Sequence, residues 1–115
     1  MSKEGRITSM AGGTFPIPSI PSASVLQVPE EWSTIEVSGT TGISSITTQY
    51  LLPGRELTLM GTDGTGPAIT DTAIASTANG LIHLSAALTL ALGTTLTLKQ
   101  ANNGSWWETA HAANG

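Results

Sequence analysis

The sequence predicts an all-β fold, and three observations carry that prediction. Apolar residues alternate with hydroxyls in Leu57-Thr58-Leu59, Leu88-Thr89-Leu90 and Leu96-Thr97-Leu98, a period of two that puts one face of a strand inward and the other outward. Turn-forming residues recur at intervals of roughly ten, the spacing of sandwiches, barrels and coiled β-structures. No stretch carries a helical stripe; residues 72–78 (TAIASTA) could make one turn but lack the apolar spacing of a helix. The class expected is a compact β-sandwich or β-helix-like domain of short antiparallel strands, with an extended N-terminal arm and trimeric association.

The arm covers residues 1–32. Pro16, Pro18 and Pro21 lie within six positions. Each proline fixes φ and lacks an N–H, which disfavours a helix or a central strand and favours an extended course. Its apolar residues, among them Phe15, Ile17, Ile20 and Val28, are too many for a solvated tether, so the arm is expected to lie along its own domain or a neighbour. The β domain covers 33–115. Ile35 and Val37 share a face over 34–37. Residues 38–42 turn, and Ile43 and Ile46 break strict alternation, which predicts a bulge or bend. Pro53-Gly54 turns into a strand over 56–60 with Leu57 and Leu59 inward. Residues 61–67 form a loop, Ile69 and Ile74 mark short strands, and Asn79-Gly80 is a turn.

Residues 88–108 read as the organising unit: three strands joined by turns at Gly93-Thr94 and Asn102-Asn103-Gly104. Trp106 and Trp107 fall on opposite faces of the last strand. One Trp is expected in the core and the other against the arm or a neighbouring subunit.

Composition narrows the function classes. Of 115 residues only 10% are charged, the net charge is -4 and the mean hydropathy is +0.12. Ordinary soluble domains carry about 25% charged residues. A surface so poor in charge suits an oligomer or an assembly component. With four Lys and Arg in all there is no basic cluster to neutralise phosphates, so no nucleic-acid partner is expected. The absence of cysteine excludes disulfides and thiolate metal sites. No apolar run approaches a membrane span of roughly 18 residues, and MSKEGRITSM has no apolar signal-peptide core, so no membrane partner is expected.

An ordered set of motifs then points to a family: Gly39-Thr40-Thr41-Gly42-Ile43 followed by Ile46, Pro53-Gly54-Arg55 followed by Leu57-Thr58-Leu59, Gly93 followed by Leu96-Thr97-Leu98, and Asn103-Gly104-Ser105-Trp106 followed by Glu108. Over residues 33–111 this resembles a β-rich module of tailed-bacteriophage surface proteins, found at the ends of tail spikes and tail fibres. The resemblance implies a trimeric, architectural or adhesive protein, made in the host cytoplasm and located at the virion surface. In such modules an Arg often follows the Trp-x-Glu segment; Ala110-His111 stands there instead. The chain begins at Met1 and its β domain fills the remaining length, so it is expected to be a small, complete gene product. Capsid decoration or a head fibre is the function expected, with the arm docked on the major capsid protein, another virion protein or a neighbouring subunit. A tail-fibre or tail-spike module touching a host surface glycan is the alternative.

Candidate chemistry is sparse. Glu56, Asp63, Asp71 and Glu108 are the acids a glycosidase pair would draw on, but they are scattered and two lie in or beside loops. Asp63-Gly64 is a turn signal, and a calcium loop needs more oxygens close by. His83 alternates with Ile82 and Leu84, which places it on the Thr side as a surface or interface residue. Flat Trp faces could stack on sugars, and Arg55-Glu56 could pair within or between chains. No catalytic, cofactor or metal residues are assigned. The interface candidates are Phe15, Ile17, Ile20, Val28, Trp106 and Trp107.

Overall fold

The computed structural model describes residues 17–72 and 78–114. Phe15, and residues 73–77 of the possible 72–78 turn, Ile74 among them, lie outside them. The described residues form ten strands and no helix: β1 (Ser19–Pro21), β2 (Val25–Gln27), β3 (Thr34–Ser38), β4 (Ser45–Thr47), β5 (Glu56–Gly61), β6 (Ala68–Ile69), β7 (Ile82–His83), β8 (Leu88–Thr89), β9 (Thr94–Gln100) and β10 (Trp106–Ala113). The main sheet runs β1-β3-β5-β9-β10-β7, with β2-β4 and β6-β8 as separate two-stranded sheets.

The arrangement is β-solenoid-like. β1 pairs parallel with β3, and β3 parallel with β5; on a second face β2 pairs parallel with β4, and Ile43 bridges in parallel to Ile69. The chain therefore winds through successive rungs, each stacked on the one before. Stacking in register places like on like: Ile20 over Val37, Ile35 over Leu59, Leu26 over Ile46. Of the two forms expected, sandwich or β-helix-like, the second is found, and the antiparallel pairing expected of its strands is corrected, since four of the seven ladders among the described residues are parallel. Alternation sets which face a residue occupies and carries no information about strand direction. A chain that completes a circuit before returning to the sheet lays each strand parallel to its predecessor.

One core fills the coil. Ile35, Val37, Ile43, Ile46, Leu57, Leu59, Ile82, Leu90, Leu96, Leu98 and Trp106 are all fully buried. The inward positions of β3, β5 and β9 are those the alternation predicts. Residues 17–32 belong to this structure: Leu26 and Val28 lie in the core, and Ile20 packs against it. Arg55 holds the following segment down. Its guanidinium donates to the carbonyls of Pro29 (2.9 Å) and Trp32 (3.0 Å) and meets Glu30 at 3.4 Å. Glu30, not the adjacent Glu56, is its partner.

The last part of the coil departs from the sequence reading at one turn and agrees at the other. β9 and β10 form the expected antiparallel hairpin, with Gly104 at φ 89°. β8 does not pair with β9 across Gly93; it pairs with β6. Leu90 N–H donates to Pro67 O (2.8 Å) and Leu92 N–H to Asp63 O (2.8 Å), so the 63–69 loop takes the hydrogen bonds a hairpin would need. Glycine permits this approach. A Cβ on Gly61 would lie 2.1 Å from Ala91 O, and one on Gly66 would lie 2.3 Å from Leu90 O, distances that no side chain tolerates.

Candidate functional site

Titratable and aromatic side chains, His83, Trp107, Glu108 and His111, gather along the β7–β10 pair. β7 runs parallel to β10, bringing Trp106 opposite Ile82 and Trp107 opposite His83. Trp106 turns inward and is fully buried, its indole N–H donating to Ile46 O at 3.2 Å. Trp107 turns outward and stacks on the His83 ring, centroids 4.1 Å apart and planes inclined by 21°. Its indole N–H donates to Ser105 Oγ (2.9 Å), whose hydroxyl donates to Asn103 Oδ1 (2.6 Å).

His83 corrects the sequence reading. It does lie opposite to Ile82, yet it is only 2% exposed, because Trp107 covers the outer face where solvent was expected. His83 Nδ1 lies 2.8 Å from Thr72 O. A carbonyl only accepts, so Nδ1 carries the proton. Nε2 is buried and has no hydrogen-bond partner among the described residues.

Next to this stack, Glu108 Oε1 accepts from Ser85 N–H (2.8 Å) and Ser85 Oγ (3.0 Å), while Oε2 meets His111 Nδ1. Burial pushes the Glu108 carboxyl up, but the Ser85 N–H, His111 and the Ser85 hydroxyl outweigh it and hold the group below its ordinary value of 4.5. The carboxylate stands between Ser85 and His111. A nucleophilic serine needs the histidine in that middle place as its base, so this trio is arranged to fix a loop rather than to activate a hydroxyl.

The other acids have structural partners as well. Asp63 Oδ1 accepts from Thr65 N–H (2.9 Å) and Gly66 N–H (3.3 Å), and Asp71 Oδ1 from Leu84 N–H (2.9 Å). Glu56 stands opposite Lys99 across β5 and β9. Among the described residues no three metal-ligating side chains come together.

A second region has different chemistry. Tyr50, Leu51 and Leu52 are 59%, 49% and 46% exposed, an unusual display of apolar surface on one loop. The loop is held in place, since Tyr50 N–H donates to Glu30 Oε2 and Leu52 N–H to Gln100 Oε1, both at 3.2 Å. Beside it a shallow groove of about 270 Å³ is lined by the amides of Gln27 and Gln49, the hydroxyls of Thr47 and Thr48 and the apolar Val28, with no charge. Gln49 Nε2 reaches Tyr50 Oη at 3.2 Å.

The interface candidates divide accordingly. Val28 and Trp106 are consumed by the chain's own core, Ile20 packs on it, and Ile17 and Trp107 are half-buried. The Tyr50-Leu51-Leu52 surface was missed, although three apolar residues leading directly into Pro53-Gly54 were its signal. No protein-family model, curated protein or solved structure matches the chain.

Proposed function

We propose that the protein is a non-enzymatic structural component of a tailed-phage virion, a trimeric capsid decoration or head-fibre protein whose N-terminal arm docks on the shell or a neighbouring subunit. The observation that supports this reading most is the uncovered apolar surface at Tyr50, Leu51 and Leu52, with Val25 and Leu92 also exposed, on a chain with only 10% charged residues. Burying such surface against a copy or a shell contributes about 25 cal/mol per Å², before the cost of association. The acids support the same reading, since Asp63, Asp71 and Glu108 each accept backbone hydrogen bonds. The test is sedimentation of the full chain at micromolar concentration, followed by binding to purified capsids. A trimer, or a pair of trimers, that binds capsids and loses binding when residues 1–16 are removed, a cut that spares the core residues Leu26 and Val28, supports the proposal. A monomer that ignores capsids overturns it.

The groove beside Tyr50 favours a second reading, a module that touches a host surface glycan. Neutral amides and hydroxyls next to an exposed ring suit a sugar's hydroxyls and its apolar face. Retention on host cells but not on capsids, abolished by Tyr50→Ala, would select it.

A further inference from the structure

We propose that the outer edge of β10 is a self-pairing site, joining two copies of this chain antiparallel across a two-fold axis centred on Ala112, so that His111 of each copy faces Ala113 of the other. β10 is eight residues long, but β7 covers it only at Trp106 and Trp107. Beyond them the ladder to β9 fixes which backbone groups are left over. Gln100 N–H donates to Arg55 O (2.9 Å) on the β5 side, whereas Gly93 O accepts from Asn114 N–H (2.7 Å) on the β10 side. The odd residues of β9 therefore face β10. Their partners are Ala110 opposite Thr97 and Ala112 opposite Thr95, and these direct their N–H and C=O groups into that ladder. Alternation sends the N–H and C=O of His111 and Ala113 the other way. Nothing among the described residues pairs with them, and residues 109–113 are all exposed.

Natural sheets blunt such edges with prolines, charges or cover. The sequence here, Thr109-Ala110-His111-Ala112-Ala113, contains no proline, Lys, Arg, Asp or Glu. The opposite margin of the same sheet is treated differently. Pro18 O and Ser22 N–H both bond to β3, so the intervening odd residues point outward, and one of them is Pro21, which has no N–H to offer. β10 therefore has no good partner in β1 of another copy. An antiparallel two-fold pairing satisfies both molecules with the same residues, and the small side chains of Ala110, Ala112 and Ala113 let two copies approach closely. The contact lies at the far margin from the arm and leaves a three-fold contact elsewhere on the domain possible.

The test uses the full chain. Sedimentation is expected to show six copies where the three-fold contact of the proposed function also forms, and two where it does not. Ala113→Pro, which deletes an outward N–H, should halve that mass with the far-ultraviolet circular dichroism unchanged. Ala112→Pro, which deletes an N–H directed into β9, should lower the melting temperature instead. The chain has no cysteine, so Ala112→Cys provides an independent readout. Facing positions in a non-hydrogen-bonded pair lie about 4.5 Å apart, within disulfide reach, and mild oxidation should give a covalent dimer while Ala110→Cys does not. A monomer or trimer insensitive to Ala113→Pro, with no Ala112→Cys cross-link, overturns the proposal. It leaves the virion reading untouched, because capsid binding is measured separately.

Discussion

The two margins of the main sheet differ in how they end. At the β1 margin the chain enters as a three-residue strand paired in parallel, with a proline on the outward side. At the β10 margin a long strand of a tight hairpin outruns its neighbour, and some of its backbone groups have no partner among the described residues. The first margin is closed by sequence chemistry and the second only by a two-residue strand. An edge is a property of backbone donors, so one imino acid changes what a margin can bind while leaving its side-chain packing almost alone.

The largest test of that contrast removes the support under one margin. Trp106→Ala should cost about 3–5 kcal/mol, read by chemical denaturation, and hydrogen exchange should show β9 and β10 losing protection ahead of β1 and β3. Gly61→Ala strikes between the margins, where the new Cβ would meet the Ala91 carbonyl. A loss of about 1–3 kcal/mol or more is expected, because backbone cannot step aside as a flexible side chain can. On the β1 side, Arg55→Ala leaves two carbonyls and Glu30 without their donor and should cost about 1–3 kcal/mol. Lys at that position should restore only part, since it lacks the planar fork.

A smaller stability effect with a larger consequence is expected from Pro21→Ser. Thermal stability should move by about 1 kcal/mol or less, but a restored outward N–H opens the β1 edge, and sedimentation should show new concentration-dependent association. The smallest effect belongs to pH. The Glu108 carboxyl titrates below its ordinary value, so its contribution is complete above the unfolded value and is lost as pH falls through the folded one. Wild type should lose melting temperature on acidification below about pH 4.5 more steeply than Glu108→Gln.

Much of the core was legible. Ile35, Val37, Leu57, Leu59, Leu96 and Leu98 are inward because strict alternation leaves one choice of face once a core exists. The β9–β10 hairpin was legible because Asn102-Asn103-Gly104 tolerates the positive φ its turn requires. Three features were not. β8 pairs with β6 because Gly61 and Gly66 open space for residues 90–91, which lie far from them in sequence. His83 is buried because a Trp from another strand covers it. Tyr50, Leu51 and Leu52 are exposed although apolar, and composition alone counts them as core.

The sequence by itself determined the β class, the inward faces and the tight turn, since these follow from periods and φ preferences within a few residues. Only the tertiary structure decided that the rungs stack in parallel, that Arg55 ties down residues 29–32, and that one sheet edge is shut and the other open. Those outcomes depend on which distant strand lies alongside, and hydrogen bonds between strands form wherever donors and acceptors meet, whatever their separation along the chain.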